Sequence, residues 1–377
     1  MIEPKYFFEI LKENNINFFA GVPDSLLKDF CAYVSDNADK KNHFIAANEG
    51  NALSLGIGHY LSTSNLPLIY MQNSGLGNII NPMLSLADSD VYSIPMILLI
   101  GWRGEKGIKD EPQHKKQGRI TEELLKIMEV PYEIIGPDSD PEVTKYLLKD
   151  LIALSKIKKN PCAILVKQNT FDDYKLKKNK IYKKPLFREE AIEQILKQIT
   201  LNEILISTTG VTSRELFELR KNNNSGHEKD FLTVGGMGHA SQIALGIALE
   251  KKHRDVFCLD GDGAFLMHMG SIAINGSSNC KNFKHIVFNN SAHDSVGAQP
   301  TVADELDILK IASSCGYKWT KRTQSLKDLN KKLKELKSID GPALLEIQVR
   351  SGFRKNLGRP TNSPEKNKNL FMNFLKN

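Results

Sequence analysis

The chain has 377 residues, 41% hydrophobic and 25% charged, with a formal net charge of +7. That is an ordinary soluble globular composition, too long for one core, and two domains are expected. No apolar run approaches a membrane span, and the lysine runs carry no interleaved aromatics, so membrane insertion and nucleic-acid binding are set aside. The opening MIEPKYFFEILKE shows no basic-then-apolar leader pattern, and five dispersed cysteines without CxxC spacing suggest reduced thiols in the cytoplasm rather than a zinc site.

In chain order, strand-like apolar runs fall at 18–20, 44–46, 68–71, 96–100, 132–135 and 163–166. Amphipathic, helix-like stretches at 25–34, 50–61 and 140–154 lie between them. A lysine-rich segment, 172–187, reads as a solvated linker. The alternation restarts with strands at 204–207, 231–234, 256–260, 285–289 and 343–348, and helices at 188–198, 239–249, 264–275 and 326–336. The expected fold class is therefore α/β: two tandem, doubly wound parallel-sheet domains, at 1–171 and 188–377, without a middle domain. Ligands of such sheets bind at the carboxyl ends of the strands.

The strand at 256–260 ends in Asp260-Gly261-Asp262-Gly263, where glycines allow a phosphate to approach the backbone. The following helix is expected to aim its N-terminus there. Asp262 offers a hard oxygen for Mg²⁺, and the next strand ends in Asn289-Asn290. Gly-Asp-Gly, helix, strand and Asn-Asn together form a much more specific pattern than Gly-Asp-Gly alone. The pattern resembles the signature of thiamine diphosphate enzymes. The resemblance implies Asp262 and Asn290 as Mg²⁺ ligands, Asn289 as the alternate, and the Ala292 backbone carbonyl as a third ligand. It also makes Gly261 and Gly263 part of the cofactor cradle.

In the first half, Asn48-Glu49-Gly50 follows a strand and opens a helix. By the resemblance, Glu49 is the carboxyl that activates the cofactor's aminopyrimidine; the plain alternative is a helix-start glutamate. Asn73, Ser74 and Gly75 form a small bend suited to a flat ring. Gly236 and Met237 lie in a glycine-rich loop, with Met237 matching the apolar residue that props the bent cofactor.

Phe19–Leu27 (FAGVPDSLL), Gly101-Trp102-Arg103-Gly104, the segment DEPQH at 110–114, TSREL at 212–216 and LGRP at 357–360 are similar to the phosphonopyruvate and sulfopyruvate decarboxylase branch. Two positions depart from that pattern: Gly236, where serine is expected, and Ala298, where glycine is expected. The resemblance implies decarboxylation of the small anionic 2-keto acid 3-phosphonopyruvate through an ylide and an enamine of the cofactor. Asp24 and His114 would handle protons, with His293 as a lesser candidate. Asp24 reads equally well as a helix cap, and His114 as a surface loop histidine. Arg103, Arg354 and Arg359, with Lys355, are candidate phosphonate cations, although a solvated tail accounts equally for the last three. A homodimer or homotetramer with cofactor at the subunit interface is implied. Sulfopyruvate decarboxylation, carboligation, a non-enzymatic cofactor-binding subunit and a plain nucleotide-binding protein remain the alternatives.

Overall fold

A computed structural model describes residues 1–177, 184–199 and 202–376. The chain divides into two compact units, Met1–Asn179 and Lys180–Asn377. In the first, the strands are β1 (Phe19–Gly21), β2 (His43–Ile45), β3 (Leu68–Gln72), β4 (Ile97–Gly101), β5 (Tyr132–Ile135) and β6 (Cys162–Val166). They pair in the order β2-β1-β3-β4-β6-β5, every pair parallel. Successive strand residues face opposite cores: Leu68, Tyr70, Ile97 and Leu99 enter one, and Ile69, Met71, Leu98 and Ile100 the other. This two-faced burial is why β4 reads as an unbroken apolar run.

The helices of this unit are α1 (Pro4–Glu13), α2 (Lys28–Asn37), α3 (Glu49–Thr63), α4 (Leu76–Pro82), α5 (Pro112–Ile127) and α6 (Pro141–Lys158). The helix expected at 25–34 starts only at Lys28, with residues 25–27 forming a bend.

The second unit contains β7 (Ile204–Ser207), β8 (Asp230–Leu232), β9 (Val256–Gly261), β10 (Phe283–Asn289), β11 (Ala292–His293), β12 (Gln299–Pro300), β13 (Trp319–Thr323) and β14 (Ala343–Gln348). Its main sheet runs β8-β7-β9-β10-β14-β13, again all parallel, while β11 and β12 form a small antiparallel ribbon. Counting only main-sheet strands within each unit, both sheets have the order 2-1-3-4-6-5. The coarse pattern read twice in the sequence is one topology built twice.

The helices here are α7 (Arg188–Gln198), α8 (Val211–Asn222), α9 (Ala240–Glu250), α10 (Asp262–Met267), α11 (Gly270–Ser277), α12 (Ile308–Ser314), α13 (Leu326–Ser338) and α14 (Pro364–Lys376). The single helix expected at 264–275 is thus two short ones, because His268 leaves helical geometry at φ −128°, ψ 49°. Only residues 167–187 separate β6 from α7, which leaves no room for a middle domain. Part of the lysine-rich segment, 178–183, lies outside the described residues. Its ends are not simply solvated: the Tyr174 and Lys177 N–H groups donate to Asp29 and Asp36, and Lys184 is buried. Among the described residues no helix is long and apolar enough to cross a membrane.

Candidate active site

In the first unit the chain reverses strand order between β1 and β3, and the loops after these strands meet. Asp24, past the end of β1, is fully buried. Its Oδ2 accepts from Gln72 Nε2 at 2.7 Å and its Oδ1 from the Leu26 N–H at 3.1 Å. Gly101 has no room for a side chain, since a Cβ there would lie 1.9 Å from Asp24 Oδ1. Burial raises the Asp24 pKa, opposed by the Gln72 and Leu26 hydrogen bonds. Asp24 does not cap α2, whose N-cap is Leu27. Ser74, exposed, donates to Gln72 Oε1 at 2.8 Å and extends this relay.

Glu49 is the first residue of α3 and only 4% exposed. Asn48 caps the helix by accepting from the Asn51 N–H at 2.9 Å, which fixes where Glu49 begins. Asn78 Nδ2 donates to Glu49 Oε2 at 2.7 Å. The other carboxyl oxygen lies against Gly75, where a Cβ would come within 2.5 Å. Burial raises the Glu49 pKa, with the Asn78 hydrogen bond opposing. Asn73 turns inward: its Nδ2 donates to the Arg103 carbonyl at 2.8 Å and to Thr121 Oγ1 at 2.9 Å.

Arg103 is already engaged. It pairs with Asp110 through Nε at 2.8 Å and through Nη2, and its Nη1 donates to Ser25 at 2.7 Å. His114, expected in a loop, is instead buried in the first turn of α5. The helix starts there because Pro112 occupies its first turn. Gly104 permits the close approach: its φ is +74°, and a Cβ would lie 2.0 Å from the His114 carbonyl.

In the second unit the equivalent loops, after β7 and β9, line a cavity together with the turn after β10. Its walls include Thr208, Thr212, Met237, Asp262, Asn290 and His293. Asp262 is 2% exposed and accepts from Thr301 Oγ1 at 2.6 Å. Burial pushes its pKa up to about 7, against the pull of Thr301 and the Gly263 N–H. Gly261 is open on its cavity side, its nearest neighbour to a Cβ being Thr208 at 4.0 Å. At Gly263 a Cβ would meet the His293 ring at 2.7 Å. Burial lowers the His293 pKa to about 4, so the ring stays neutral at physiological pH.

The two asparagines separate cleanly. Asn289 ends β10 and faces inward, donating to Glu346 Oε1 at 2.8 Å and accepting from Lys184 Nζ at 3.3 Å. Asn290 is past the strand and lines the cavity, as does Ala292. Met237 also lines it, on a loop whose Gly236 and Gly238 have φ of +63° and +86°. Gly236 has no neighbour near a would-be Cβ, so a serine would meet only the backbone strain there. Ala298 adopts φ +55°, the left-handed geometry for which glycine is suited.

The residues match two family models: "Thiamine pyrophosphate enzyme, N-terminal TPP binding domain" over 4–125 and "C-terminal TPP binding domain" over 208–347. Phosphonopyruvate decarboxylase of Streptomyces viridochromogenes is 33% identical over 372 residues, covering 94% of this chain and 90% of that one. The enzyme of the same name from Streptomyces hygroscopicus is 32% identical over 372 residues, covering 94% and 89%. Sulfopyruvate decarboxylase of Methanosarcina acetivorans is 26% identical over 376 residues, covering 91% and 90%. The chain belongs to the thiamine diphosphate-dependent decarboxylases. It is an enzyme that uses thiamine diphosphate to decarboxylate a small 2-keto acid.

Parts of this decarboxylase's cavity escape the sequence reading. Arg188, Glu215 and Asp294 form a buried ion-pair group at its wall, with Arg188–Glu215 at 2.8 Å and Arg188–Asp294 at 3.1 Å. Lys184 reaches behind Asn289, donating to its carbonyl at 3.2 Å, to Ser291 Oγ at 2.8 Å and to Asp304 at 2.8 Å. Scattered single polar residues give no spacing that could have disclosed either group. Cys258, Asp260 and His285 bring potential metal-ligating atoms within 4.8 Å of one another. There His285 meets Asp260 through Nε2 at 3.3 Å and Tyr317 through Nδ1 at 3.1 Å, while Asp260 Oδ1 accepts from the Gly261 N–H at 3.0 Å. Both ring nitrogens are engaged, and the cluster acts as a hydrogen-bonded brace under the Gly261 turn.

Arg354 pairs with Glu189 at 2.9 Å and with Glu218, while Arg359 and Lys355 are exposed. The cations expected for a substrate thus differ in exposure, Arg103 and Arg354 being half-buried against carboxylates.

Proposed function

We propose that the chain decarboxylates 3-phosphonopyruvate, releasing CO₂ and phosphonoacetaldehyde. The observation that carries this is the 33% identity to a phosphonopyruvate decarboxylase across nearly the whole of both chains, against 26% for a sulfopyruvate decarboxylase over similar coverage. In this reading residues 1–171 bind the aminopyrimidine, 172–187 link, and 188–377 hold the diphosphate and Mg²⁺. Thiamine diphosphate supplies a nucleophilic carbon and an electron sink for the bond to CO₂.

Glu49 holds a proton for the aminopyrimidine ring, which its burial and raised pKa favour. Asp262, Asn290 and the Ala292 carbonyl would hold Mg²⁺: the three residues line one cavity, and each can offer a hard oxygen, which suits that ion. Gly261 and Gly236 would let the cofactor approach the backbone, Gly263 makes room for the His293 ring beside them, and Met237 would support the cofactor. Ser74 and Gly75 would lie beside the ring, with Gly75 packed on Glu49; Asn73 acts indirectly, by fixing the Arg103 loop. Asp24 and His114 move protons at the reacting carbon. Of the cations, Arg359 and Lys355 are more accessible to a phosphonate than Arg103 or Arg354. The assembly is a homodimer or homotetramer, with cofactor between Glu49 of one copy and Asp262 of another.

CO₂ release measured side by side on phosphonopyruvate and sulfopyruvate tests the substrate. A higher kcat/KM on phosphonopyruvate is expected; an equal or higher value on sulfopyruvate refutes the choice. Sedimentation showing a fully active monomer refutes the assembly.

A further inference from the structure

Asp294, in the turn after β11, has partners on both of its oxygens. Oδ2 accepts from Asn290 Nδ2 at 2.7 Å and from Arg188 Nη1 at 3.1 Å. Oδ1 accepts from Ser351 Oγ at 2.6 Å and from the Gly352 N–H at 3.0 Å. The Asp294 and Arg188 side chains are only 4% and 6% exposed, and Glu215 holds the far side of the guanidinium.

A primary amide offers one oxygen and one NH₂ group, and a carboxylate can only accept. By taking the NH₂ of Asn290, Asp294 determines which end of the amide remains for the cavity. That end is Oδ1, whose other contact is a long 3.3 Å hydrogen bond from the Ala292 N–H. Without Asp294 the amide is free to turn its NH₂ toward a cation, which repels it.

The outer oxygen of Asp294 holds the start of the segment 351–358. The same segment is fastened further on: Gly358 N–H donates to Glu218 at 2.6 Å, Arg214 Nε donates to the Gly358 carbonyl at 2.7 Å, and Arg354 pairs with Glu189 and Glu218. Its opening residues, Ser351 and Gly352, are themselves exposed and depend on Asp294 for anchorage.

We propose that Asp294 is a positioning residue that presents the Asn290 amide oxygen to the bound cation and couples that ligand to the C-terminal strap 351–358. The proposal rests on the reading of Asp262 and Asn290 as cation ligands. A cation that draws Asn290 into place also immobilises Asp294, and an immobilised Asp294 secures the strap. Partners of this kind around metal ligands are general, and losing one typically costs 10–100-fold, in order of magnitude, in metal affinity.

The test uses the full chain with saturating thiamine diphosphate and Mn²⁺ as a paramagnetic probe. Two quantities are read: the Mn²⁺ Kd, and the rate of tryptic cleavage at Arg354 and Lys355 with and without Mn²⁺. In the wild type, Mn²⁺ should slow cleavage. Asp294→Ala should weaken Mn²⁺ binding about 10–100-fold and abolish that protection. Asp294→Asn separates the two tasks. Its amide oxygen still accepts from Asn290, but its NH₂ then meets the Gly352 donor; the Kd should stay near wild type while strap protection is lost. Ser351→Ala should behave like Asp294→Asn, more weakly.

If Asp294→Ala does not fold, Arg188→Met with Asp294→Leu takes its place, exchanging a buried ion pair for apolar side chains of similar size. A wild-type Kd in either of these, with Asp262→Ala and Asn290→Ala losing Mn²⁺, overturns the proposal and leaves the metal anchor standing. Wild-type protection in Asp294→Asn overturns the coupling. An unchanged Kd in Asp262→Ala and Asn290→Ala removes the anchor reading itself.

Discussion

Replacing Glu49 by Gln deletes one titratable proton and almost nothing else. The side chain keeps its size, the α3 cap at Asn48 is untouched, and an amide oxygen still accepts from Asn78 Nδ2, now 2.7 Å from Oε2. Gly75 continues to pack against the same atoms. Cofactor binding should therefore persist, while the proton transfer that Glu49 serves is lost. Positioned proton transfer contributes on the order of 10²–10⁴ in rate, equivalent to about 3–5 kcal/mol of barrier. Stability should move in the other direction. Burial raises the Glu49 pKa, so the folded chain binds this proton more tightly than the unfolded chain does. The stabilisation linked to it is complete below the unfolded pKa and disappears as pH rises through the folded value. Gln carries no such dependence. Ligand-free Glu49→Gln should thus resemble the wild type at a pH below the ordinary glutamate value, about 4.3, and gain on it in melting temperature at an alkaline pH. Single-turnover CO₂ release, calorimetric titration with thiamine diphosphate and thermal melts at both pH values check the three parts. Turnover close to wild type in Glu49→Gln would refute the assignment, whatever the melts show.

Burial pushes the Asp262 pKa up to about 7, so the proposed cation binding there should be proton-linked, the ion taking the deprotonated form. Mn²⁺ affinity should fall as pH drops through that value, by up to about tenfold per unit, and an affinity flat between pH 6 and pH 8, roughly the bracketing range, refutes the linkage. Asn289→Ala and Asn290→Ala should part company. The first leaves buried Glu346 and Lys184 short of a partner and costs about 1–3 kcal/mol in denaturant unfolding; the second chiefly weakens Mn²⁺ binding, and the opposite pattern would move the ligand to Asn289. Ala298→Gly relieves a left-handed backbone at φ +55° and should stabilise the chain by about 1 kcal/mol; a urea midpoint that does not rise would show that the turn is strain-free.

The inner strands were legible because their sheets are buried on both faces, so runs such as β4 and β6 are apolar without interruption. The runs at 132–135, 204–207 and 343–348 coincide with β5, β7 and β14. By contrast, β13 escapes: it is an edge strand, and its WTKRT sequence carries Lys321 and Arg322 where a central strand would carry apolar residues. His114 was misplaced because QHKKQGR looks like a polar loop, although Pro112 starts a helix whose apolar stripe lies further on at Leu124 and Leu125. The choice between Asn289 and Asn290 could not be made from composition, because strand register alone decides which of two identical residues turns inward. Lys184 illustrates the same limit for charge: it ends a run of similar lysines, yet its ammonium is buried beside Asp304.

Glu49 and Asp262 pose one physical problem with two outcomes. Each opens a helix at the carboxyl end of a parallel sheet, and both sheets have the same strand order. Burial raises both pKa values. What differs is the company. Glu49 is met by an amide NH₂ and by glycine backbone, with no cation among the influences on its pKa, so its proton is the natural source of neutrality. Asp262 feels the positive charge of Lys184 and faces the amide and carbonyl oxygens of the turn after β10, a setting in which a divalent ion can displace the proton. The two carboxyls do not share an address in the repeated topology, since Glu49 follows the edge strand β2 and Asp262 the inner strand β9; in the proposed reading it is their neighbours that make one carboxyl hold a proton and the other a metal. Exchanging the residue types, Glu49→Asp with Asp262→Glu, should consequently impair both sites, because the neighbouring groups stay where they are while each carboxyl shifts by a methylene.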